Sequence, residues 1–290
     1  MIQPTESPTA RLADRPTQRA GHIGPDDNRF CGAAVFGELA ATAASPVDLV
    51  ARAFGLTDLT AADREVLRLI ALSVTSPDPR VWPLKLTRTL AAYGSAPVAY
   101  FGAQLATVAD RMGPGAATAA AESLAWLRAR VGAEPTAAAV AAAVAVHDAE
   151  RGVWAGFGVP LRPRDERLIA MYRMIADHPA TRRPAWRLHL LLVDAMRARG
   201  VEPNIVIAVA ALMTDLGVAP RRAGMLLGLL MSQNFAAHAL EAADTDGPLL
   251  RELPAAALDD RTRPPRRSPA AEAAAAAGSR AQTARRSLAW

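Results

Sequence analysis

The sequence predicts an all-α protein, and three observations support this fold class. Hydrophobic residues make up 51% of the 290 residues but aromatic residues only 5%, so the predicted interior consists mainly of Ala, Leu and Val. Ala and Leu have high helix propensities. Apolar positions recur at helical spacing between Gly and Pro breakers, and no segment shows the convincing alternation of a half-buried strand.

The individual helices are predicted from their start and stop signals. Ser45-Pro46 begins the first helix, and Gly55 ends it. Thr60 caps the second helix, which residues 76–79 break. Further helices are predicted at residues 83–93, 96–111, 116–131, 136–149, 164–177, 185–199, 203–216, 220–232 and 235–243.

Two of these helices have features that predict their packing. Residues 203–216 are apolar on nearly every face, which places this helix inside a large helical core. Gly224 and Gly228 lie one turn apart and would allow another helix to pack closely.

Both ends of the chain are predicted to be disordered. Residues 1–25 are rich in Pro, Thr and Arg without periodicity. The basic tail at 256–290 contains most of the excess charge: residues 259–290 carry seven arginines against three acidic residues, a net of +4 out of +5 for the chain. The tail lacks interleaved aromatic residues for stacking on bases, so nucleic-acid contact is the least favoured function.

Composition also indicates the compartment. No apolar run is long enough to span a membrane, and the N-terminus lacks the apolar segment of a secretory signal. The single cysteine, Cys31, excludes an intramolecular disulfide and fits a reducing compartment. We therefore expect a cytoplasmic protein, and we expect no metal site because the histidines lack metal-ligand spacing.

The stretch at residues 154–167 is the strongest candidate for a ligand-binding segment. Two glycines flank Phe157 and permit close backbone approach to a ligand, and three arginines follow within six residues: Arg162, Arg164 and Arg167. Arginine forks suit carboxylates and phosphates. On these residues alone, a Gly/Pro-rich turn with solvated arginines is slightly favoured over a binding segment. His238, with Glu241 one turn on, is typical of a hydrogen-bonded core histidine rather than a catalyst.

Four motifs in order, between roughly residues 30 and 255, resemble those of the citrate synthase family, which includes citryl-CoA lyase-like members. The matching segments are Tyr93-Gly-Ser95 with Gly113-Pro-Gly-Ala116, Gly156-Phe-Gly-Val159 with Asp165-Glu-Arg167, Glu202-Pro-Asn-Ile-Val-Ile207, and Asn234-Phe-Ala-Ala-His238. The resemblance implies an all-α homodimer. It also implies a large domain from residues 26–116 and 213–255, with a small domain, residues 117–212, inserted between.

The resemblance also implies which residues would act, and here the sequence departs from the family. The two family histidines fall on Ala116 and Val159, and the proton-abstracting carboxylate falls on Val206. Small apolar side chains cannot transfer a proton or polarise a carbonyl. The ordinary joining of an acetyl-CoA methyl group to a ketone is therefore predicted to be lost or altered.

Several ligand-binding positions of the family persist. Arg167 and Arg251 match arginines that hold a substrate carboxylate, and Arg162 and Arg164 fall near the basic contact to coenzyme A. A further family arginine is replaced by Met231, and the interval from Val159 to Arg167 is one residue shorter than usual.

Two hypotheses of function follow. The first is a citrate synthase-like protein with a cleft for a CoA thioester or carboxylate, without a permanently bound cofactor; Asp165, Glu166 and His238 are candidates for rebuilt chemistry. The alternative is a non-catalytic ligand-binding protein or partner subunit of an active enzyme of this type.

Overall fold

The computed structural model describes residues 20–75, 78–79, 81–107, 113–159 and 163–245. The fold class is all-α, as predicted. The α-helices of these residues are α1 (Pro46–Ala53), α2 (Ala61–Ser73), α3 (Trp82–Tyr93), α4 (Ala96–Ala106), α5 (Gly113–Val131), α6 (Ala137–Arg151), α7 (Glu166–Ile175), α8 (Pro184–Arg197), α9 (Ile205–Asp215), α10 (Pro220–Leu230) and α11 (Ser232–Ala243).

A small antiparallel sheet precedes the helices, and the prediction that the chain has no strand is wrong here. Its strands are β1 (Gly21–Ile23), β2 (Asn28–Phe30) and β3 (Ala33–Ala34), in the order β1-β2-β3. Strands of two or three residues are too short to show an alternating pattern. Residues 21–23, assigned to the disordered arm, are thus part of a strand; residues 1–19 and the tail at 256–290 lie outside the described residues.

The predicted helix starts are confirmed where the caps are local. The Ser45 side chain accepts a hydrogen bond from the backbone N–H of Asp48, and Thr60 does the same for Asp63. In both cases the aspartate accepts the N–H of the capping residue, which completes a capping box. The predicted bounds differ mainly between α4 and α5, since α4 ends at Ala106 and α5 begins at Gly113.

Helix α9 is the centre of the main core, as its all-round apolar sequence predicted. Seven consecutive residues, Ile207 to Met213, are fully buried. Helices α2, α5, α7, α8 and α10 pack around it.

Asp215, at the end of α9, caps the start of α8. Its carboxylate accepts hydrogen bonds from the backbone N–H groups of Ala185 (2.9 Å) and Trp186 (2.8 Å). Nearby, Arg183 forms an ion pair with Asp63 of α2 at 2.5 Å. The first turn of α8 is therefore tied to two other helices through charged side chains.

The close helix packing predicted at Gly224 and Gly228 is confirmed at the crossing of α5 and α10. A Cβ atom on Gly224 would lie 2.2 Å from the Pro114 carbonyl oxygen and 2.5 Å from Thr118 Oγ1. The backbone N–H of Gly224 instead donates to Thr118 Oγ1 at 3.1 Å. This contact fixes the first turns of α5, where Ala116 lies.

Helices α3, α4 and α11 form a second layer around smaller apolar clusters, in which Ala91, Ala99, Ala103 and Phe235 are buried. The described residues all belong to one compact unit, and the predicted large and inserted small domains stay a prediction. Within the described residues, no helix has both the length and the apolar character needed to cross a membrane.

Candidate functional site

The glycine loop, residues 154–159, is clamped to the segment that precedes α9. Gly158 N–H donates to the Glu202 carbonyl at 2.7 Å, and Asn204 N–H donates to the Gly156 carbonyl at 2.9 Å. The Asn204 side-chain amide donates to the Gly158 carbonyl at 3.0 Å, while its Oδ1 accepts the N–H of Val206 at 3.0 Å. One asparagine thus caps α9 and holds the loop.

The two glycines of this loop have different roles. Both have a positive φ, +87° at Gly156 and +86° at Gly158. A Cβ on Gly156 would lie 2.7 Å from Ile207 Cβ and 2.8 Å from Ile207 N, whereas a Cβ on Gly158 would meet nothing within 4 Å. The close approach at Gly156 is therefore to the backbone of α9; a ligand is not needed to explain it.

Asp165 connects the start of α7 to the start of α9. It is 3% exposed and is the N-cap residue of α7. Its Oδ1 accepts the backbone N–H of Arg167, and its Oδ2 accepts the backbone N–H of Ile205 at 2.9 Å. Burial alone would raise the pKa of Asp165, but the Arg167 guanidinium and the two backbone N–H groups outweigh it and lower the pKa. Asp165 is thus an ionised positioning residue, which argues against a role as a rebuilt base.

The Arg167 guanidinium forms a bidentate pair with this carboxylate. Nε lies 3.0 Å from Asp165 Oδ1 and Nη2 lies 2.8 Å from Oδ2. The Arg167 side chain remains 38% exposed, and a guanidinium has five N–H donors, of which this pair uses two. Arg167 is therefore held in one orientation with donors to spare for an anion, but its role in binding stays a prediction.

The roles predicted for the other arginines stay predictions. Arg164 is exposed on the segment before α7, and Arg162 and Arg251 lie outside the described residues.

The three positions that match family catalytic groups lie on the elements just described. Val159 ends the glycine loop, and Val206 is the second residue of α9. The Asn204 side chain bonds both Gly158 and Val206, so it brings the backbones of these two segments together. Ala116, 8% exposed, lies on α5, which packs against α9. The side chain of Val206 contributes to the main core.

The remaining candidates for rebuilt chemistry lie elsewhere or make other contacts. His238 is 6% exposed on α11, with its Nδ1 3.4 Å from Arg88 Nη1. Arg88 also pairs with Glu241 at 2.8 Å. Glu166, the first residue of α7, is exposed. His238 thus belongs to a polar contact between α3 and α11, which agrees with the core histidine expected from its sequence context.

A pocket of about 530 Å³ opens beside the first turn of α5. Pro114, Gly115 and Thr118 line one side, and Met231 lies close to Gly113, with a Gly113 Cβ position 3.9 Å from Met231 Sδ. No charged side chain lines this pocket among the described residues. The segment preceding Ala116 therefore borders a largely apolar pocket that Met231 also lines.

Sequence reasoning missed Asn204 and the connecting role of Asp165. Each has a local signal, because an Asn before an apolar run and an Asp two residues before Arg167 are typical N-cap residues. Their partners across the chain are not predictable from spacing. Among the described residues, no group of three or more His, Cys, Asp or Glu side chains could hold a metal ion.

Solved structures provide the comparison. The chain is similar to citryl-CoA lyase from Hydrogenobacter thermophilus, with a TM-score of 0.73 and 15% identity, covering 87% of this chain and 97% of that one. It is also similar to ATP citrate lyase from Methanothrix soehngenii in complex with citrate and coenzyme A, with a TM-score of 0.70 and 16% identity, covering 89% of this chain but 44% of that one.

Citrate synthase from Thermotoga maritima MSB8 gives a TM-score of 0.57 with 16% identity, covering 76% of this chain and 60% of that one. No protein-family model matches the sequence, and no curated protein matches it. Together the solved structures show that this chain has the citrate synthase-like fold.

Proposed function

We propose that this chain binds a CoA thioester or a carboxylate in a citrate synthase-type cleft and that ordinary condensation is lost or altered. One observation carries the proposal. The loop, α7 and α9 are held together by Asn204 and Asp165, and Arg167 is oriented by this frame. Ala116, Val159 and Val206 stand at the positions that the resemblance matches to the family's proton-transferring groups.

The chemistry of those three side chains supports a binding role. General acid–base groups contribute about 10²- to 10⁴-fold each, and hydrocarbon side chains supply none of this. Arg167, in contrast, is a cation and has donors that the Asp165 pair does not use. Such a site favours binding of an anion over conversion of it.

The similar solved structures suggest which ligands to test. Two ATP citrate lyases among them are solved in complex with citrate and coenzyme A and with (3S)-citryl-CoA. Isothermal titration calorimetry with citrate, acetyl-CoA and citryl-CoA, together with an assay of free thiol in the presence of acetyl-CoA and oxaloacetate, addresses binding and turnover separately. We expect binding of at least one ligand and no thiol release above background.

Arg167→Ala tests the anion contact, and Arg173→Ala on the exposed side of α7 is the matched control. Losing charged hydrogen bonds should weaken binding about tenfold or more for Arg167→Ala and leave the control unchanged. Arg167→Lys retains the charge without the fork and should lie between them. Equal affinity for all four proteins, at equal thermal stability, would contradict the proposed contact.

A triple variant, Ala116→His, Val159→His and Val206→Asp, tests the correspondence with the family. We expect it to gain thiol release over the wild-type chain. If the variant folds and binds the ligand but shows no turnover, the matched positions do not share one site.

We also propose that the chain forms a homodimer through α4 and α10. Helix α4 has no charged residue, and its outer side exposes Val98 (61%), Phe101 (65%) and Leu105 (78%). Met225 and Leu229 of α10 are exposed on the same pocket. An exposed apolar surface of this kind marks a protein contact. The described residues that line this pocket carry no charge, and a surface with both protruding side chains and a pocket can pair with itself about a two-fold axis.

Sedimentation velocity tests this surface. Phe101→Glu should convert a dimer to a monomer, whereas Leu72→Glu, at a half-exposed position on α2, should not. A wild-type chain that stays monomeric at tens of micromolar, or a dimer that survives Phe101→Glu, would contradict the homodimer. The first result would favour the alternative of a different partner subunit.

A further inference from the structure

A buried aromatic cluster lies at the start of the glycine loop. His147 of α6 is 2% exposed and Trp154 is 1% exposed. Their rings stack with centroids 3.7 Å apart and planes at 22°. Trp126 of α5 contacts both rings edge-on, with centroid distances of 5.1 and 6.2 Å. The anchor of the loop is therefore a histidine–tryptophan stack in the interior.

This stack has two polar atoms without a hydrogen-bond partner. Among the described residues, none pairs with His147 Nδ1 or Trp154 Nε1, although both atoms are buried. A buried polar atom without a partner costs about 1–3 kcal/mol. The neutral imidazole can tolerate this at Nδ1 as an unused acceptor, but the imidazolium carries a hydrogen on each ring nitrogen and would bury an unused charged donor.

The charges around the cluster do not compensate a buried imidazolium. The guanidinium groups of Arg130 and Arg151 lie 5.2 and 5.6 Å from the Trp126 ring centroid. Asp148 is paired with Arg199 at 2.5 Å, and Glu150 lies 4.0 Å from Arg130.

The balance of these effects lowers the pKa of His147. Burial makes the largest contribution, and Arg151 adds to it; the interaction of the ring with the Gly152 backbone, Asp148 and Glu150 oppose them. The stack is therefore stable while His147 is neutral.

We propose that the His147–Trp154 stack is a proton-sensitive latch for the glycine loop. Protonation drives His147 out of the stack, because its Nδ1–H group has no buried acceptor. Trp154 then loses its packing partner two residues before Gly156, and the hydrogen bonds from Gly158 and Asn204 to the opposite segments open. Acid thus releases the loop from the start of α9, with or without a ligand.

Hydrogen exchange of the Gly158 amide, corrected for the intrinsic pH dependence of exchange, measures this opening directly. Between pH 7 and pH 5 we expect protection of Gly158 in the wild-type chain to fall about tenfold for each pKa unit that separates latched from released His147. The Leu212 amide, in the middle of α9, reports global unfolding, so it measures the loss of overall stability on acidification and should lose less protection than Gly158 does.

His147→Phe is the decisive variant, because phenylalanine can stack on Trp154 but cannot take up a proton. Its Gly158 protection should not depend on pH, whereas His22→Phe, at an exposed histidine of β1, should behave as wild type. If His147→Phe does not fold, His147→Gln serves the same purpose. An acid step at Gly158 that persists in these variants, or that is no larger at Gly158 than at Leu212, would overturn the latch.

Discussion

The core around α9 and the outer layer of α3, α4 and α11 differ in how their helices are joined and in which side chains they leave exposed. Around α9, helix starts are joined by carboxylates, and each of Asp63, Asp165 and Asp215 connects two helices. In the outer layer, α4 has no charged residue and leaves its large apolar side chains exposed. The first region joins its helices through charged side chains, whereas α4 in the second exposes apolar side chains of the kind that we propose to be covered by a partner.

This contrast also separates the two parts of the proposed function. The region that would orient an anion is held by hydrogen bonds and an ion pair of Asn204 and Asp165. The region that would bind another subunit consists of exposed apolar side chains on α4 and α10. Four predictions test the contrast in order of decreasing effect on the free energy of unfolding.

Asp165→Ala should have the largest effect. It removes the partner of Arg167 and the acceptor of the Ile205 N–H, which together should cost about 4 kcal/mol of stability. Urea denaturation measures this loss, and Glu166→Ala at the exposed neighbouring position is the control. A loss below about 1 kcal/mol would mean that the carboxylate is not a connection between α7 and α9.

Acidification should cost about 3 kcal/mol through His189. This fully buried histidine donates from Nδ1 to the Trp186 carbonyl and accepts from Tyr172 at Nε2, and burial lowers its pKa to about 4. The unfolded chain takes up the proton first. The stability that neutral His189 contributes is therefore complete above pH 6.5 and is lost as the pH falls towards 4. The free energy of unfolding, measured from pH 7 to pH 4, should fall less steeply for His189→Phe than for the wild type.

The paired glycines of the loop should differ by about 2 kcal/mol. Gly158→Ala adds only backbone strain of about 1 kcal/mol, whereas Gly156→Ala adds the same strain and a clash with Ile207. Thermal or urea unfolding of the two single variants makes the comparison directly. Equal losses would show that the contact between the loop and α9 is loose.

Leu105→Ser should have the smallest effect on the monomer. Leu105 is 78% exposed, so the change should alter the unfolding free energy by less than about 0.5 kcal/mol. Leu84→Ala, at a buried position of α3, is the contrasting variant and should cost about 3 kcal/mol. If Leu105→Ser instead lowers the unfolding free energy of a dimer at low protein concentration, the outer layer is confirmed as a subunit contact.

Local signals made much of this fold predictable. Ser45 and Thr60 each precede a helix with an aspartate at the third position, and the capping boxes follow from that spacing. The all-round apolar sequence of α9 predicted its place in the core. The strands at residues 21–34 were missed because their pairing is set by a hairpin and by Asp27, whose carboxylate accepts the N–H groups of Phe36 and Gly37.

The site was less predictable for the same physical reason. A sequence motif identifies Gly156 and Asp165 but not the residues that they contact elsewhere in the chain, Ile207 and Ile205. The glycine that indicated approach to a ligand instead approaches Ile207. The aspartate considered as a base is occupied by Arg167 and Ile205, a long-range contact that no local spacing encodes.

The cap of α8 has a consequence for the order of events during synthesis. The carboxylate that accepts the N–H groups of Ala185 and Trp186 belongs to Asp215, 30 and 29 residues further along the chain. On the ribosome, α8 therefore emerges with an uncapped first turn, and only the complete α9 can close it. Nascent chains truncated before Asp215 should hold α8 in a frayed state, so this hairpin of helices matures as one unit and not helix by helix.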